Sequence, residues 1–129
     1  MSGRRILVVE DNPLNLKLVR DVLTAFGYEV VEAQSGEEGV ALAGSCDPHL
    51  VLMDLQLPGI DGYEALRLLR QDPRLGDVPV VAVTAFAMPE DRERTALAGF
   101  DGYLGKPISV RALPDQVAEF LSNGRADAR

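Results

Sequence analysis

The chain has 129 residues, 47% of them apolar, and a formal net charge of -7. That length fits one domain with one core, and an acidic balance without any basic run excludes nucleic acid or an anionic membrane as the main partner, since either would repel it. No apolar stretch is long enough to span a bilayer, and Glu10-Asp11 interrupts the N-terminal run where a signal peptide would continue, so a cytoplasmic protein is expected.

The first short β-branched run is RILVVE, residues 5–10. Asn12 then caps a helix with Pro13 at its first position. Leu16, Val19, Leu23 and Phe26 recur on it at three- and four-residue steps, and Gly27 stops it. YEVVEA, residues 28–33, is the second strand, and Ser35 with Glu38 forms a capping-box pattern for a helix over about 36–45. HLVLMD, residues 49–54, is the third, followed by Asp61-Gly62 and a helix carrying Tyr63, Leu66 and Leu69. VPVVAVTA, residues 78–85, is the fourth, and Pro89 opens a helix ending near Gly99. A weaker run, DGYLG (101–105), is the fifth, with Ser109 preceding a helix that bears Leu113, Val117, Phe120 and Leu121. Residues 1–129 read as a single domain with its core over about 5–121 and a short frayed tail at 122–129. Cys46 and His49 are each the sole residue of their type, which rules out an internal disulfide or a His/Cys zinc cage; both read as structural.

The first, third and fourth runs are apolar at both alternate positions, as in strands covered on both faces. Five strands alternating with five helices predict a doubly wound α/β domain with right-handed crossovers. Ligands in such sheets bind outside the carboxyl ends of the strands. Glu10, Asp11, Asp54, Thr84 and Lys106 all stand at those ends. If the three carboxylates converge to about 4 Å, each pair repels by roughly 4 kcal/mol at an effective dielectric constant of about 20. A divalent cation relieves that repulsion, and hard oxygen donors favour Mg²⁺ or Mn²⁺ over zinc. A hydroxyl on Thr84 and an ammonium on Lys106, just before Pro107, complete the groups needed for metal-assisted phosphoryl transfer onto an aspartate.

Four stretches carry a family likeness: ILVVEDNPLNLKL, LVLMDLQLPGIDGYEAL, VVAVTAFA and GYLGKPIS. They resemble, in the right order, the receiver domain of two-component response regulators. The resemblance implies a flavodoxin-like (βα)5 three-layer sandwich with a five-stranded parallel sheet in the order 2-1-3-4-5. It implies that Asp54 accepts a phosphoryl group from the phosphohistidine of a sensor histidine kinase or phosphotransfer protein. Asp11 would bind Mg²⁺ directly, Glu10 nearby or through water, with Asp54 and the backbone carbonyl of Gln56 in the same shell. Lys106 and Thr84 would hold phosphoryl oxygens. Tyr103 matches a switch position, and Phe86, Met88, Tyr103 and Ile108 would contribute to a fourth-helix, fifth-strand and fifth-helix face that contacts a downstream kinase or another protein effector. Gln56 and Phe86 match positions that tune acyl-phosphate hydrolysis, and a bulky Phe86 predicts slow self-dephosphorylation. No nucleic-acid or membrane partner, and no turnover of a separate substrate, is expected.

Three other readings fit less well. A phosphatase of the haloacid dehalogenase type wants an aspartate where Gln56 stands and a nucleophile after the first strand. A nucleotide-binding protein wants a G-x-x-x-x-G-K-[ST] loop, which is missing. A receiver fold kept only for docking would have lost an acidic, threonine or lysine position, and all are present.

Overall fold

The computed structural model describes residues 3–85 and 88–125. Among them β1 (Arg5–Val9), α1 (Pro13–Ala25), β2 (Glu29–Ala33), α2 (Gly36–Cys46), β3 (Leu50–Asp54) and α3 (Gly62–Leu69) alternate in the first half. β4 (Val80–Thr84), α4 (Pro89–Ala98), β5 (Gly102–Gly105) and α5 (Leu113–Asn123) follow. The strands form one parallel sheet in the order β2-β1-β3-β4-β5. This is the expected three-layer sandwich.

The sheet sits between two apolar layers because its central strands offer both faces to burial. Every residue of β3 and β4 is buried, as are four of the five in β1. Leu7, Val9, Val51, Met53, Val80 and Ala82 point to the side covered by Ala43, Leu66 and Leu69 of α2 and α3. Ile6, Val8, Leu52, Val81 and Val83 point to the other, where Leu16, Val19 and Leu23 of α1 meet Leu113 and Val117 of α5. Each fully buried Val or Leu contributes about 1.5–3 kcal/mol, so these two layers dominate stability. The edge strands differ: β2 and β5 each bury a single residue, Ala33 and Leu104. α4 is the least attached helix, with Thr95 as its buried residue.

The helix starts follow the capping chemistry of the sequence. Asn12 accepts hydrogen bonds from the N–H groups of Leu14 and Asn15, Ser35 from Glu38, and Asp61 from Glu64. Gly99 ends α4 at φ 109°, a conformation that favours glycine.

Three details add to the sequence-based expectations. α5 begins at Leu113 because Ser109 caps a preceding turn: its hydroxyl accepts the Ala112 N–H and its carbonyl the Leu113 N–H. The start of the expected frayed tail is ordered. α5 runs through Asn123, and Arg125 donates to the carbonyl of Gly76 at 2.9 Å. A 3₁₀ turn over Pro73–Leu75, capped by Asp72, was not expected, although Asp72-Pro73 is its signal. Cys46 and His49 take backbone roles: the Arg5 side chain donates to the Cys46 carbonyl, and the Arg5 N–H to His49 Nδ1. Among the described residues no helix is long and apolar enough to cross a membrane.

Candidate functional site

The strand order reverses direction between β1 and β3, and the crevice outside their carboxyl ends collects the acidic residues. Asp54 is the last residue of β3 and only 2% exposed, with β1 and β4 on either side. α3 starts hard against this strand exit. A Cβ at Gly62 would fall 2.7 Å from the Asp54 carbonyl oxygen, so only glycine fits there. Glu10, one residue beyond β1, is buried; Asp11, the next, is exposed. One carboxylate oxygen from each of Glu10, Asp11 and Asp54 lies within 4.8 Å of the others.

One cation stands among these three carboxylates. Lys106 Nζ lies 2.7 Å from Asp54 Oδ2 and 3.0 Å from Glu10 Oε1. Its backbone is fixed by an N–H bond to the Thr84 carbonyl at 2.8 Å, and the Lys106-Pro107 peptide is cis. The other Asp54 oxygen accepts the Gln56 N–H at 2.9 Å, and Glu10 Oε2 accepts the Asn12 N–H at 3.1 Å. Burial pushes the Glu10 carboxyl above the usual carboxylate range, against the pull of the Asn12 N–H and Lys106, while the nearby Asp54 adds to the rise. Burial draws the Lys106 ammonium down, but its hydrogen bonds to Asp54 and Glu10 outweigh that and hold it above its ordinary value. Thr84 ends β4 at 1% exposure, at the same end of the sheet.

This donor set suits a small hard cation. Three carboxylates face one ammonium, so the crevice keeps an excess of negative charge, and every donor is oxygen. A crevice of about 180 Å³, lined by Gln56, Asp61, Tyr63, Thr84, Asp91 and Arg94, lies next to it between the α3 and α4 starts.

The residues expected to signal are spread over two faces. Met88 is 58% exposed beside α4, and Tyr103 lies under the Arg92 guanidinium, which is 5.3 Å from the ring centroid. Ile108 does not join them. It packs on the α1 and α5 side of the sheet and, with Val8, Glu10, Val19 and Val83, lines a small void. The chain bends at Lys106 and Pro107 after β5, just before Ile108. Phe86 lies outside the described residues.

The chain matches the family model of the response regulator receiver domain over residues 6–118. It belongs to the response regulator receiver family. As a receiver it is 43% identical over 120 residues to the polar-differentiation response regulator DivK of Brucella ovis, covering 93% of this chain and 98% of that one. DivK of Brucella anthropi is 42% identical over the same length. Among solved structures, a CheY-like receiver from Methanospirillum hungatei JF-1 superposes with a TM-score of 0.84 at 31% identity, covering 93% of this chain and 94% of that one. The receiver domain of a sensor histidine kinase from Pseudomonas aeruginosa PAO1 gives a TM-score of 0.85 at 36% identity, over 93% and 98% of the two chains. That protein carries a magnesium ion in its active-site cleft.

Proposed function

We propose that this receiver is a phosphoacceptor of a two-component relay, taking a phosphoryl group on Asp54 from the phosphohistidine of a sensor kinase or phosphotransfer protein. The observation that carries it is the buried Asp54 carboxylate at a strand end, 2.7 Å from Lys106 and within 4.8 Å of the Glu10 and Asp11 carboxylates. A carboxylate oxygen of Asp54 attacks phosphorus. The O–P bond forms as the N–P bond breaks, and the electron pair leaves on the imidazole nitrogen, giving an acyl phosphate. Lys106 pairs with a phosphoryl oxygen, and the Thr84 hydroxyl donates to another. The Gln56 N–H holds the Asp54 carboxylate in orientation before attack. Glu10, Asp11, Asp54 and the Gln56 carbonyl would hold Mg²⁺ or Mn²⁺. Held there, the cation would supply positive charge against the crowded carboxylates and the incoming phosphoryl oxygens. The protein catalyses its own modification and turns over no separate substrate.

Output passes through protein contacts in the cytoplasm. Phosphorylation gives Thr84 and Lys106 contacts that the resting state lacks, and these shift the equilibrium of the α4, β5 and α5 face that includes Met88 and Tyr103. A downstream kinase or another protein effector would read that face. The near-complete coverage of DivK supports a single-domain organisation over residues 1–129. Ile108 belongs instead to the α1 side of the acceptor crevice.

The test is intact mass after incubation with Mg²⁺ and acetyl phosphate. One added phosphoryl group is expected in the wild type, dependent on Mg²⁺ and absent in Asp54→Ala. No addition, repeated with a phosphorylated histidine kinase as donor, would leave the receiver fold as a docking module.

A further inference from the structure

β5 presents Lys106 to the acceptor crevice, yet little in the strand itself fixes its register. It is four residues long, lies at the sheet edge, contains two glycines and buries only Leu104. Short, glycine-rich edge strands specify their pairing weakly. The chemistry has no such tolerance. A slip of one residue moves the chain by about 3.3 Å and turns every side chain to the other face. That would expel Leu104 from the core and carry the Lys106 ammonium away from Asp54 and Glu10.

The register is held from the opposite end. Asp101, the residue before β5, engages Val80 twice: its N–H donates to the Val80 carbonyl at 2.8 Å, and its Oδ2 accepts the Val80 N–H at 2.9 Å. The same Oδ2 accepts from Arg70 Nη2 at 2.8 Å, and the carboxylate is 3% exposed. Arg70 is anchored in turn, because its Nη1 donates to the carbonyls of Leu75 and Val78, each at 2.9 Å. The Phe120 ring of α5 covers Gly102 so closely that no Cβ fits there, which pins the first residue of β5 from the other face.

We propose that Asp101 is a positioning residue for Lys106: with Arg70 it locks β5 onto β4 in the one register that brings the ammonium to Asp54. The proposal rests on Asp54 being the phosphoacceptor. Asp101 touches none of the reacting groups; four strand residues separate it from Lys106, a span of about 16 Å by the rise per residue, so it acts through the backbone.

The experiment compares the full chain with Asp101→Ala and Asp101→Asn, and with Val31→Ala as a core control on β2, at the opposite edge of the sheet from β5. Phosphorylation rate with acetyl phosphate, Mg²⁺ affinity and the side-chain NMR signal of Lys106 are measured on each. Asp101→Ala is expected to slow phosphorylation by about tenfold or more, as small misplacements of a positioned group do. Mg²⁺ affinity should not fall, because the acidic groups sit on β1 and β3 and withdrawing the ammonium from Asp54 and Glu10 favours the cation. Asn keeps an oxygen for the Val80 N–H and should recover most of the rate. Val31→Ala should leave the rate unchanged despite lost stability. An unchanged rate and Lys106 signal in Asp101→Ala would overturn the proposal, and so would equal slowing in Val31→Ala or a parallel loss of Mg²⁺ affinity. If Asp101→Ala does not fold, Asp101→Asn decides: its Lys106 signal must match the wild type. If the wild type itself takes up no phosphoryl group, the acceptor reading fails, and the register lock is judged by the Lys106 signal alone, which must shift in Asp101→Ala.

Discussion

The two ends of the parallel sheet are built from the same parts in opposite proportions. At the amino end one buried carboxylate, Asp101, meets two guanidinium groups: Arg70 at 2.8 Å, and Arg125, whose Nε lies 3.7 Å from Asp101 Oδ1. At the carboxyl end three carboxylates share one ammonium. The first arrangement leaves no uncompensated negative charge and joins α3, β4, β5 and the end of α5. The second carries uncompensated negative charge in a crevice, which is what a site for an external cation requires. Burying an ion pair therefore says little about function by itself. The sign of the leftover charge, and whether it faces an opening, separates a brace from a reactive centre.

The contrast can be broken at the amino end first. Arg70→Met leaves the Asp101 carboxylate buried and two carbonyls without this donor, and should cost about 3–5 kcal/mol of stability by urea denaturation. Mg²⁺ should not restore it. Saturating Mg²⁺ should stabilise the wild type by about 2.7 kcal/mol at a concentration about 100 times Kd. Lys106→Met should be destabilised in chelator yet gain more from Mg²⁺ than the wild type, since the ion then replaces the lost ammonium. Equal loss at both ends with no response to Mg²⁺ would erase the distinction.

Smaller effects sharpen it. Asp11→Asn removes an exposed member of the crowded set, so in chelator it should gain a few tenths to about 1 kcal/mol. In Mg²⁺ most of that advantage should disappear. The Glu10 carboxyl is raised in the fold above its unfolded value. The native state therefore binds more protons there, and the strain from Glu10 is relieved as pH falls through its folded range. In chelator, Glu10→Gln should flatten this contribution, while wild-type Mg²⁺ affinity declines on acidification because proton and cation compete. A Mg²⁺ affinity that rises on acidification would contradict the assignment.

Much of this was legible in the sequence because the strands are short and their ends carry the chemistry. The ends of β1, β3 and β4 fall within one residue of the apolar runs, so Glu10, Asp54 and Thr84 could be placed at one edge of the sheet before any geometry was known. Lys106 followed from the same rule. The amino-end brace was not legible. Asp101 looks like a turn residue before a weak strand and Arg125 like part of a loose tail, and only the return of α5 beside the 3₁₀ turn brings them together. Ile108 came only from the family resemblance, and it packs on the α1 and α5 side of the sheet, away from Tyr103 under Arg92. Helix capping was readable where a side chain caps directly. Ser109 precedes α5 as expected, and the same chemistry there closes a turn before the helix.

The central claim is that the under-compensated carboxyl end accepts a phosphoryl group on Asp54. The most direct measurement is to react the protein with acetyl phosphate and Mg²⁺, reduce the acyl phosphate with borohydride, and sequence the peptides by mass spectrometry. Conversion of Asp54 to homoserine, with Glu10, Asp11 and Asp101 unchanged, is the expected result. Conversion at another carboxylate, or none at Asp54 when one phosphoryl group had been taken up, would contradict it.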